Sequence, residues 1–283
     1  MNIWKHSVMK NFDERIQEEQ HMCKVISITN QKGGTGKTTT SLFLAYGLAE
    51  RGKHVLVIDL DQQADTTFSL SHGKDYSASG KTSYELLTKQ ATAQECTVQI
   101  NLLIDLIPAS SQLAALDIVL IKNDLYRADL LKEELAPIKS NYDFILIDTP
   151  PALSVVVTNA LTVSDRVLIP VQADLFSIKG LADLSKTLQK VPNPNLDVIG
   201  ILITRFNPRT IYSKAVTTEL NKAAGAMNTR VFHTRIKEAV AIKEALHQFK
   251  SLDEYDKRSN AAKNVNQFID EFLEVNDNDN KEK

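Results

Sequence analysis

The sequence predicts a single α/β domain with a doubly wound, mostly parallel sheet flanked by helices. Three observations favour this fold class: short apolar runs alternate with helical patterns, a glycine-rich loop follows the first run, and acidic residues end two other runs. Strands buried on both faces appear as continuous apolar runs, and ligands of such sheets bind beyond the carboxyl ends of the strands. The loop and the acidic residues are therefore expected to meet at one edge of the sheet.

Six apolar runs are the strand candidates of a domain that spans residues 23–274. They lie at residues 25–29, 54–58, 102–107, 144–147, 167–171 and 198–203. Helical patterns at residues 42–49, 126–136 and 178–190 separate some of them, and Gly52 stands where a left-handed residue ends the first helix. Residues 275–283 are rich in Asp and Asn and are expected to form a disordered acidic tail.

Residues 1–22 form a polar N-terminal extension without the apolar segment of a signal peptide. Its large apolar residues fall roughly at helical spacing, at Ile3, Trp4, Met9, Phe12 and Ile16. Two interpretations stay open for this segment: a short amphipathic helix that docks on the body or on a partner, and a frayed tail.

The composition is typical of a cytoplasmic enzyme: of 283 residues, 43% are hydrophobic and 24% are charged, and the formal net charge is −2. The chain contains no run of about 18 apolar residues, so no membrane span is predicted. Cys23 and Cys96 are too few for a four-cysteine metal or iron–sulfur site within one chain. We expect both to be buried or partly exposed thiols in a reducing compartment.

The glycine-rich loop after the first strand has the chemistry of a phosphate-binding loop. Its glycines let the backbone curl so that successive N–H groups point at a polyphosphate, and the following helix adds its positive N-terminal end. Lys37 is expected to reach the β- and γ-phosphates, Thr38 to ligate Mg²⁺, and Thr39 to contact the α-phosphate. The predicted nucleotide-binding set in this loop is Lys32, Gly33, Gly34, Thr35, Gly36, Lys37, Thr38 and Thr39.

A second lysine distinguishes this loop from the standard pattern G-x-x-x-x-G-K-[ST]. That pattern fails because Gln31 stands five residues before Gly36, and the sequence is K-G-G-T-G-K-T instead. On the outer side of the loop, Lys32 is better placed to reach a phosphate held by a second subunit than one held by its own loop. The sequence therefore predicts an ATP-sandwich homodimer with Lys32 as a catalytic residue.

Two acidic motifs complete the predicted site. Asp59 and Asp61 end one strand two residues apart, so both carboxylates point the same way. We expect Asp59 to hold Mg²⁺ through water and Asp61 to orient or deprotonate the attacking water. Asp148 ends another strand and is expected to support the same ion. An acidic residue in this position is more often a turn or cap residue, but the nearby phosphate loop favours the functional interpretation.

Together these motifs resemble the deviant Walker A ATPases of the ParA/MinD group, and within it the ParA/Soj partition proteins. The likeness covers residues 24–272 and is carried by N-Q-K-G-G-T-G-K-T-T-T at 30–40, V-I-D-L-D-Q-Q at 57–63 and L-I-D-T-P-P at 146–151. The resemblance implies a P-loop NTPase-like fold, ATP rather than GTP as the nucleotide, Mg²⁺, ATP-dependent dimerisation and weak ATP hydrolysis. It also implies that Arg205, in the segment I-T-R-F-N, contacts the nucleotide.

The same resemblance implies two partners for the ATP-bound homodimer. One is a ParB-type centromere-binding protein that stimulates hydrolysis, and the other is non-specific double-stranded DNA, so the protein is expected on the nucleoid in its ATP state. The cargo, plasmid or chromosome, stays open. Two departures from the family pattern occur: residues 62–65 replace a Pro-Gln-Gly-Asn turn, and Glu238 replaces an arginine.

A basic segment at residues 205–250 is the candidate DNA surface. It contains nine Lys or Arg residues and three Glu residues, so its local charge is 9 − 3 = +6. Such a surface binds phosphates with an affinity that falls steeply as salt rises. An ordinary solvated helical face is the alternative interpretation. The predicted DNA-binding residues are Arg209, which matches the family best, Lys214, Arg235 and Lys237.

Other classes of protein find less support in the sequence. A MinD-like membrane ATPase needs a basic amphipathic C-terminal helix, whereas the apolar side of residues 265–273 is flanked by acidic residues. An electron carrier of the nitrogenase-reductase type needs cluster cysteines, a tyrosine autokinase needs a terminal tyrosine cluster, and a sequence-specific repressor needs an added N-terminal domain. The alternative that stays open is a MinD-like or other cargo-positioning ATPase that does not use DNA.

Overall fold

A seven-stranded sheet forms the centre of the computed structural model, which describes residues 23–208 and 211–281. The predicted N-terminal extension and Arg209 lie outside the described residues. The strands are β1 (Lys24–Ile28), β2 (Val55–Asp59), β3 (Val98–Gln99), β4 (Ile104–Ile107), β5 (Phe144–Asp148), β6 (Arg166–Gln172) and β7 (Asp197–Thr204). Their order is β3-β4-β2-β5-β1-β6-β7, and every pairing is parallel except that of β3 with β4.

Helices connect these strands and cover both faces of the sheet. They are α1 (Lys37–Ala49), α2 (Asp65–Leu70), α3 (Ser83–Leu87), α4 (Ala93–Cys96), α5 (Leu116–Lys122), α6 (Leu130–Leu135), α7 (Val155–Val163), α8 (Leu175–Leu188), α9 (Ile211–Ala226), α10 (Val240–His247), α11 (Leu252–Asp256) and α12 (Asn260–Lys281). Short 3-10 helices lie at Ser111–Ala115 and Lys139–Asn141. This arrangement confirms the predicted doubly wound α/β fold.

The six predicted strands are confirmed, with ends that differ by at most two residues. These strands appear in the sequence as continuous apolar runs, because their side chains are buried in a core on each face of the sheet. On β1, Ile26 and Ile28 pack in the core beneath α1 and α12, whereas Val25 packs in the core that contains α6 and α7. The antiparallel β3 was not predicted, because it has only two residues, one half-buried and one exposed, and so presents no apolar run.

The C-terminal helix α12 packs closely against α1, the helix that follows the phosphate loop. A Cβ atom on Gly47 would lie 2.6 Å from Cγ1 of Ile269, so only glycine permits this approach. Arg51 reinforces it, because its Nη2 lies 2.6 Å from Oδ1 of Asp270. The apolar face of α12, including Phe268 and Phe272, is thus buried in the core. Among the described residues, no helix has the length and apolar character needed to cross a membrane.

Two predictions about helices were wrong. The acidic tail expected from residue 275 is helical to Lys281, because Val275 and Asn276 continue the buried stripe of α12. The helix predicted at residues 126–136 begins only at Leu130. Asn159 on α7 explains the later start. Its Nδ2 donates to the carbonyl of Arg127 at 2.8 Å, so this carbonyl is hydrogen-bonded to a side chain just before the helix begins.

Candidate active site

The phosphate loop runs from the end of β1 to the start of α1, as predicted. Gly34 has φ 74° and Gly36 has φ 93°, both in the left-handed region where glycine is favoured. The loop is tied to the end of β7, because Oγ1 of Thr204 donates to the carbonyl of Thr35 at 2.7 Å. Gly33 and Gly34 are exposed, whereas Thr35 is fully buried. The loop is therefore fixed at its base and open at its rim.

Lys37 opens helix α1 and is buried at the base of the loop, with 7% of its surface exposed. Burial lowers the pKa of its ammonium group, and the nearby carboxylates of Asp148 and Asp61 oppose this shift. A buried ammonium at a helix N-terminus favours an anionic ligand, because both the charge and the free backbone N–H groups are positive. The predicted role of Lys37 in binding β- and γ-phosphates fits this position.

Two buried carboxylates lie side by side, because Asp59 and Asp148 are paired residues at the ends of β2 and β5, and the charge of Asp148 acts on Lys37. Oδ2 of Asp148 accepts hydrogen bonds from Oγ1 of Thr38 at 2.9 Å and from Oγ1 of Thr66 at 2.6 Å. Oδ1 of Asp148 is also buried, and it has no hydrogen-bond partner among the described residues. An orphaned carboxylate oxygen beside the Thr38 hydroxyl fits the support of a hydrated Mg²⁺ ion.

Asp59 is engaged differently from Asp148. Its Oδ1 accepts the backbone N–H of Asp61 at 3.0 Å, and its Oδ2 accepts both the N–H and the hydroxyl of Thr67 at 2.8 and 2.7 Å. Asp59 therefore anchors the first turn of α2 in this structure, and its metal role stays a prediction. Burial raises the pKa of Asp59, with Asp148 adding to the shift, and burial also raises the pKa of Asp148.

Asp61 is half-buried at the rim of the site. Its Oδ1 accepts the N–H of Gln63 at 3.1 Å, and its charge acts on Lys37. Asp61 thus lies where a carboxylate reaches the phosphate region, and its role in activating water stays a prediction.

Lys32 lies on the rim of the loop and contacts a residue that sequence reasoning did not single out. Its Nζ lies 2.5 Å from Oδ2 of Asp174, the residue before α8, and 5.9 Å from the ring centre of Phe176. Burial alone would raise the pKa of Asp174, but hydrogen bonds from Lys32 and Ser177 hold this pKa below its usual value. The two lysines of the loop are therefore separated, one at its base and one at its rim.

An apolar pocket adjoins the loop beside Thr39, and the sequence did not reveal it. Phe43 of α1 forms one wall, and Ile236, Ile242 and Leu246 form the other. Arg205, for which a nucleotide contact was predicted, also lines this pocket, with a left-handed φ of 49°. The pocket thus opens beside Thr39, the predicted contact of the α-phosphate. Its walls come from residues about 200 apart in sequence, so no local motif signals it.

The predicted DNA-binding residues lie partly outside what the structure describes. Lys214 belongs to α9, but its side chain is not described. Arg209 lies wholly outside the described residues. The guanidinium carbon of Arg235 lies 4.8 Å from the ring centre of Phe206, so this side chain is stacked and half-buried. Lys237 is exposed and pairs with Phe206 through an isolated bridge next to the end of β7. Arg235 and Lys237 thus lie on the nucleotide side of the sheet.

Glu238, which departs from the family pattern, lies at the edge of the apolar pocket. Its Oε1 is 3.9 Å from Nζ of Lys243 on α10, and both side chains are largely exposed. An exposed pair at this distance contributes little stability, so Glu238 mainly lowers the local positive charge.

Comparisons with known proteins agree with this geometry. A family model described as an AAA domain matches residues 23–198. The chain is 39% identical over 247 residues to the sporulation initiation inhibitor protein Soj of Bacillus subtilis, covering 85% of this chain and 94% of Soj. It is 34% identical over 228 residues to the chromosome partitioning protein ParA of Caulobacter vibrioides, covering 78% and 83% of the two chains.

Solved structures show the same fold. Apo McdA from Cyanothece superposes with a TM-score of 0.78 at 26% identity, covering 89% of this chain and 99% of McdA. A plasmid partition protein from Borrelia burgdorferi B31 bound to AMPPNP gives 0.73 at 27% identity, covering 89% and 98%. Cobyrinic acid a,c-diamide synthase from Mycobacterium smegmatis, solved with an ATP analogue and magnesium, gives 0.73 at 29% identity, covering 88% and 93%. The chain belongs to the ParA/Soj family of P-loop ATPases.

Proposed function

We propose that this partition ATPase acts as an ATP- and Mg²⁺-dependent switch. Its ATP-bound sandwich dimer binds non-specific DNA, and partner-stimulated hydrolysis releases it. The observation that carries the proposal is the separation of two lysines within one loop. Lys37 is buried at the base of the loop, whereas Lys32 lies on the rim beside Asp174, free of its own phosphate site. One lysine therefore serves the bound nucleotide, and the other is available to a second subunit.

Within one subunit, the described residues divide the work of nucleotide binding. Lys37 and the N-terminus of α1 neutralise the phosphates, and the apolar pocket beside Thr39 takes the base. Thr38 and Asp148 would hold Mg²⁺, with the orphaned Oδ1 of Asp148 accepting from a water in the metal's shell. When bound, the ion neutralises charge that develops on the phosphates. Asp61 orients the attacking water from the rim.

Dimerisation is supported by exposed apolar side chains around the nucleotide edge. Phe176 is 77% exposed beside Lys32, and Leu153 is 57% exposed five residues after β5 ends at Asp148. Large exposed apolar residues that surround a functional edge are typical of an interaction surface. We infer that two copies meet at this edge, so that each Lys32 leaves Asp174 and reaches the phosphates of the other subunit.

DNA binding and a protein partner are the further parts of this proposal. Arg235 and Lys237 place positive charge on the nucleotide side of the sheet, and dimerisation doubles that charge. The relatives Soj and ParA support a partition role in which a ParB-type partner bound to a plasmid or chromosome stimulates hydrolysis. The protein would then act in the cytoplasm and lie on the nucleoid in its ATP state.

Binding to non-specific duplex DNA tests this function. It is measured with ATP, with ADP and without nucleotide across a salt series, for the wild type and for Arg209→Ala. Lys186→Ala is the matched control, because Lys186 lies outside the basic segment, is exposed and is already paired with Asp183 on α8. We expect salt-sensitive binding only with ATP, a weaker affinity and a shallower salt slope for Arg209→Ala, and little change for the control. Absence of DNA binding in every nucleotide state would favour a cargo-positioning ATPase that does not use DNA.

A further inference from the structure

Three consecutive residues of α2 contact three different parts of the molecule. Thr66 is fully buried and donates from Oγ1 to Oδ2 of Asp148 at 2.6 Å. Thr67 donates from its N–H and its hydroxyl to Asp59, as described above, and its Oγ1 also accepts the N–H of Ala109 at 2.8 Å. A single turn of helix is therefore attached to both carboxylates of the candidate metal site.

Phe68, the next residue, is 54% exposed and contacts a different part of the chain. Its ring centre lies 5.4 Å from that of Phe249, and the ring of His72 lies 5.6 Å from Phe249 on the same cluster. Phe249 has a left-handed φ of 56°, which a bulky residue adopts only when its surroundings hold it there. The ring contact is thus a defined point of attachment between α2 and the chain that follows α10.

Helix α10 lies at the other end of this attachment. Phe249 follows α10 by two residues, and its N–H donates to the carbonyl of Leu246 at 3.1 Å. Leu246 and Ile242 of α10 line the apolar pocket that we assign to the base, and Lys243 of α10 lies at the edge of the same pocket. A path therefore runs from Asp148 through its hydrogen bond to Thr66, along the backbone of α2 to Phe68, and through the ring contact to Phe249 and α10.

We propose that α2 is a relay that couples the state of Asp148 to the position of α10 through the contact between Phe68 and Phe249. The relay deepens the proposed ATP switch and rests on it. When Thr38 turns its hydroxyl oxygen to a metal ion, the donors to Asp148 rearrange and Thr66 must adjust. Because α2 has only six residues and is tied to the site by consecutive side chains, it moves as a unit. Phe68 carries this movement to Phe249, which shifts α10.

This coupling has two consequences for the switch. Movement of α10 changes the fit of the base pocket and displaces Lys243 at the edge of the basic segment. Since coupling between two sites is reciprocal, a nucleotide base seated against α10 also biases Asp148 towards its metal-holding arrangement. The relay thus gives the basic segment a way to respond to the phosphate end of the nucleotide.

Hydrogen exchange measured by mass spectrometry tests the relay without DNA. Peptides from α2 and α10 are followed for the full chain with AMPPNP, in the presence of Mg²⁺ and in the presence of EDTA, after calorimetry has established nucleotide binding. Wild type is compared with Phe249→Ala and with Phe68→Ala. Because the ring of Phe68 is 54% exposed, the fold should tolerate its removal. Leu102→Ala is the matched control, because Leu102 is 85% exposed and lies before β4.

In the wild type and the control, we expect Mg²⁺ to change exchange in both helices. In Phe249→Ala and Phe68→Ala, the change in α2 should persist and the change in α10 should be lost. An α10 response that is the same in both variants as in the wild type would overturn the relay and leave the proposed function standing. A wild type that binds no nucleotide would overturn the relay together with the proposed function, so the two failures are distinguishable.

A second pair of variants tests Thr66 as a positioning residue. Thr66→Val keeps the shape of the side chain and removes the hydroxyl, whereas Thr66→Ser keeps the hydroxyl. We expect the Mg²⁺-dependent change in α10 to be lost in Thr66→Val and restored in Thr66→Ser, because the hydrogen bond to Asp148 carries the signal. Equal responses in the two variants would contradict this role.

Discussion

The ammonium group of Lys32 lies 2.5 Å from Oδ2 of Asp174, a residue 142 positions later in the chain. The same carboxylate also fixes the start of α8, because Oδ1 of Asp174 accepts the N–H of Ser177 at 2.9 Å. The side chain of Asp174 thus caps α8 and also binds Lys32, the lysine that we propose reaches the phosphates of the second subunit. Lys32 must leave Asp174 before it can reach across a dimer, so this ion pair opposes dimerisation.

The first prediction concerns Asp174→Asn, which removes the charge and keeps a good helix cap. We expect tighter ATP-dependent dimerisation, because each Lys32 no longer breaks an ion pair worth about 0.2–1 kcal/mol. With two lysines in a dimer, the gain is about 0.4–2 kcal/mol, or about twofold to thirtyfold in the dimer dissociation constant. Sedimentation equilibrium with AMPPNP measures it.

Asp183→Asn is the control for that experiment, since Asp183 lies on the same helix and pairs with Lys186 at 3.2 Å. It should leave the dimer dissociation constant unchanged. Weaker dimerisation of Asp174→Asn than of the control would show that Asp174 supports the dimer rather than opposing it.

The second prediction concerns Asp61→Ala. The side chain lies at the rim, where its Oδ1 accepts the N–H of the nearby Gln63, so the fold should tolerate its loss. We expect ATP binding and ATP-dependent DNA binding to persist. Partner-stimulated hydrolysis should fall by about 10²- to 10⁴-fold, the usual contribution of a general base. Asp75→Ala, in an exposed loop, is the control. Rapid phosphate release by Asp61→Ala would remove Asp61 from this role.

The third prediction concerns Asp148→Asn. Asparagine keeps an oxygen that accepts from Thr38 and Thr66, and it removes a charge buried beside Asp59. We expect the nucleotide-free protein to gain on the order of 1 kcal/mol of stability, since a carboxylate buried beside a second buried carboxylate is costly. Chemical denaturation measures this gain, and calorimetry should show that Mg²⁺ no longer strengthens nucleotide binding. A loss of stability would mean that the carboxylate is structurally required.

The fourth prediction is a pH dependence of stability. Burial raises the pKa of Asp59 and of Asp148 in the folded protein, so folding favours their protonated forms. Their contribution to stability is fully present below the unfolded pKa of about 4 and is lost as pH rises through the folded pKa. The stability advantage of Asp148→Asn over the wild type should therefore be larger at pH 8 than at pH 5. An advantage that is equal at both pH values would contradict the raised pKa of this pair.

Much of the fold and part of the site could be predicted from the sequence, because local rules determine them. The strands that end at Asp59 and Asp148 are buried on both faces and so appear as continuous apolar runs. Gly34 and Gly36 adopt the left-handed conformations for which the loop needs glycine. The elements with the strongest local pattern were therefore the ones predicted correctly.

The features that escaped prediction depend on contacts between distant residues. The partner of Lys32 is 142 positions away, and the wall of the base pocket at Ile242 lies about 200 positions from its other wall at Phe43. No sequence pattern showed that Thr67 donates two hydrogen bonds to the carboxylate of Asp59. Helix α12 also extends beyond its expected end, because Val275 meets the core although its neighbours are acidic and polar.

The most direct test of the account measures molecular mass in solution with AMPPNP and Mg²⁺, for the wild type and for Lys32→Ala. Lys89→Ala serves as the control, since Lys89 pairs with Glu133 away from the phosphate loop. We predict that the wild type and the control form dimers, and that Lys32→Ala binds nucleotide as a monomer. An AMPPNP-dependent dimer of Lys32→Ala with the wild-type dissociation constant would contradict the claim that Lys32 completes the nucleotide site of a second subunit.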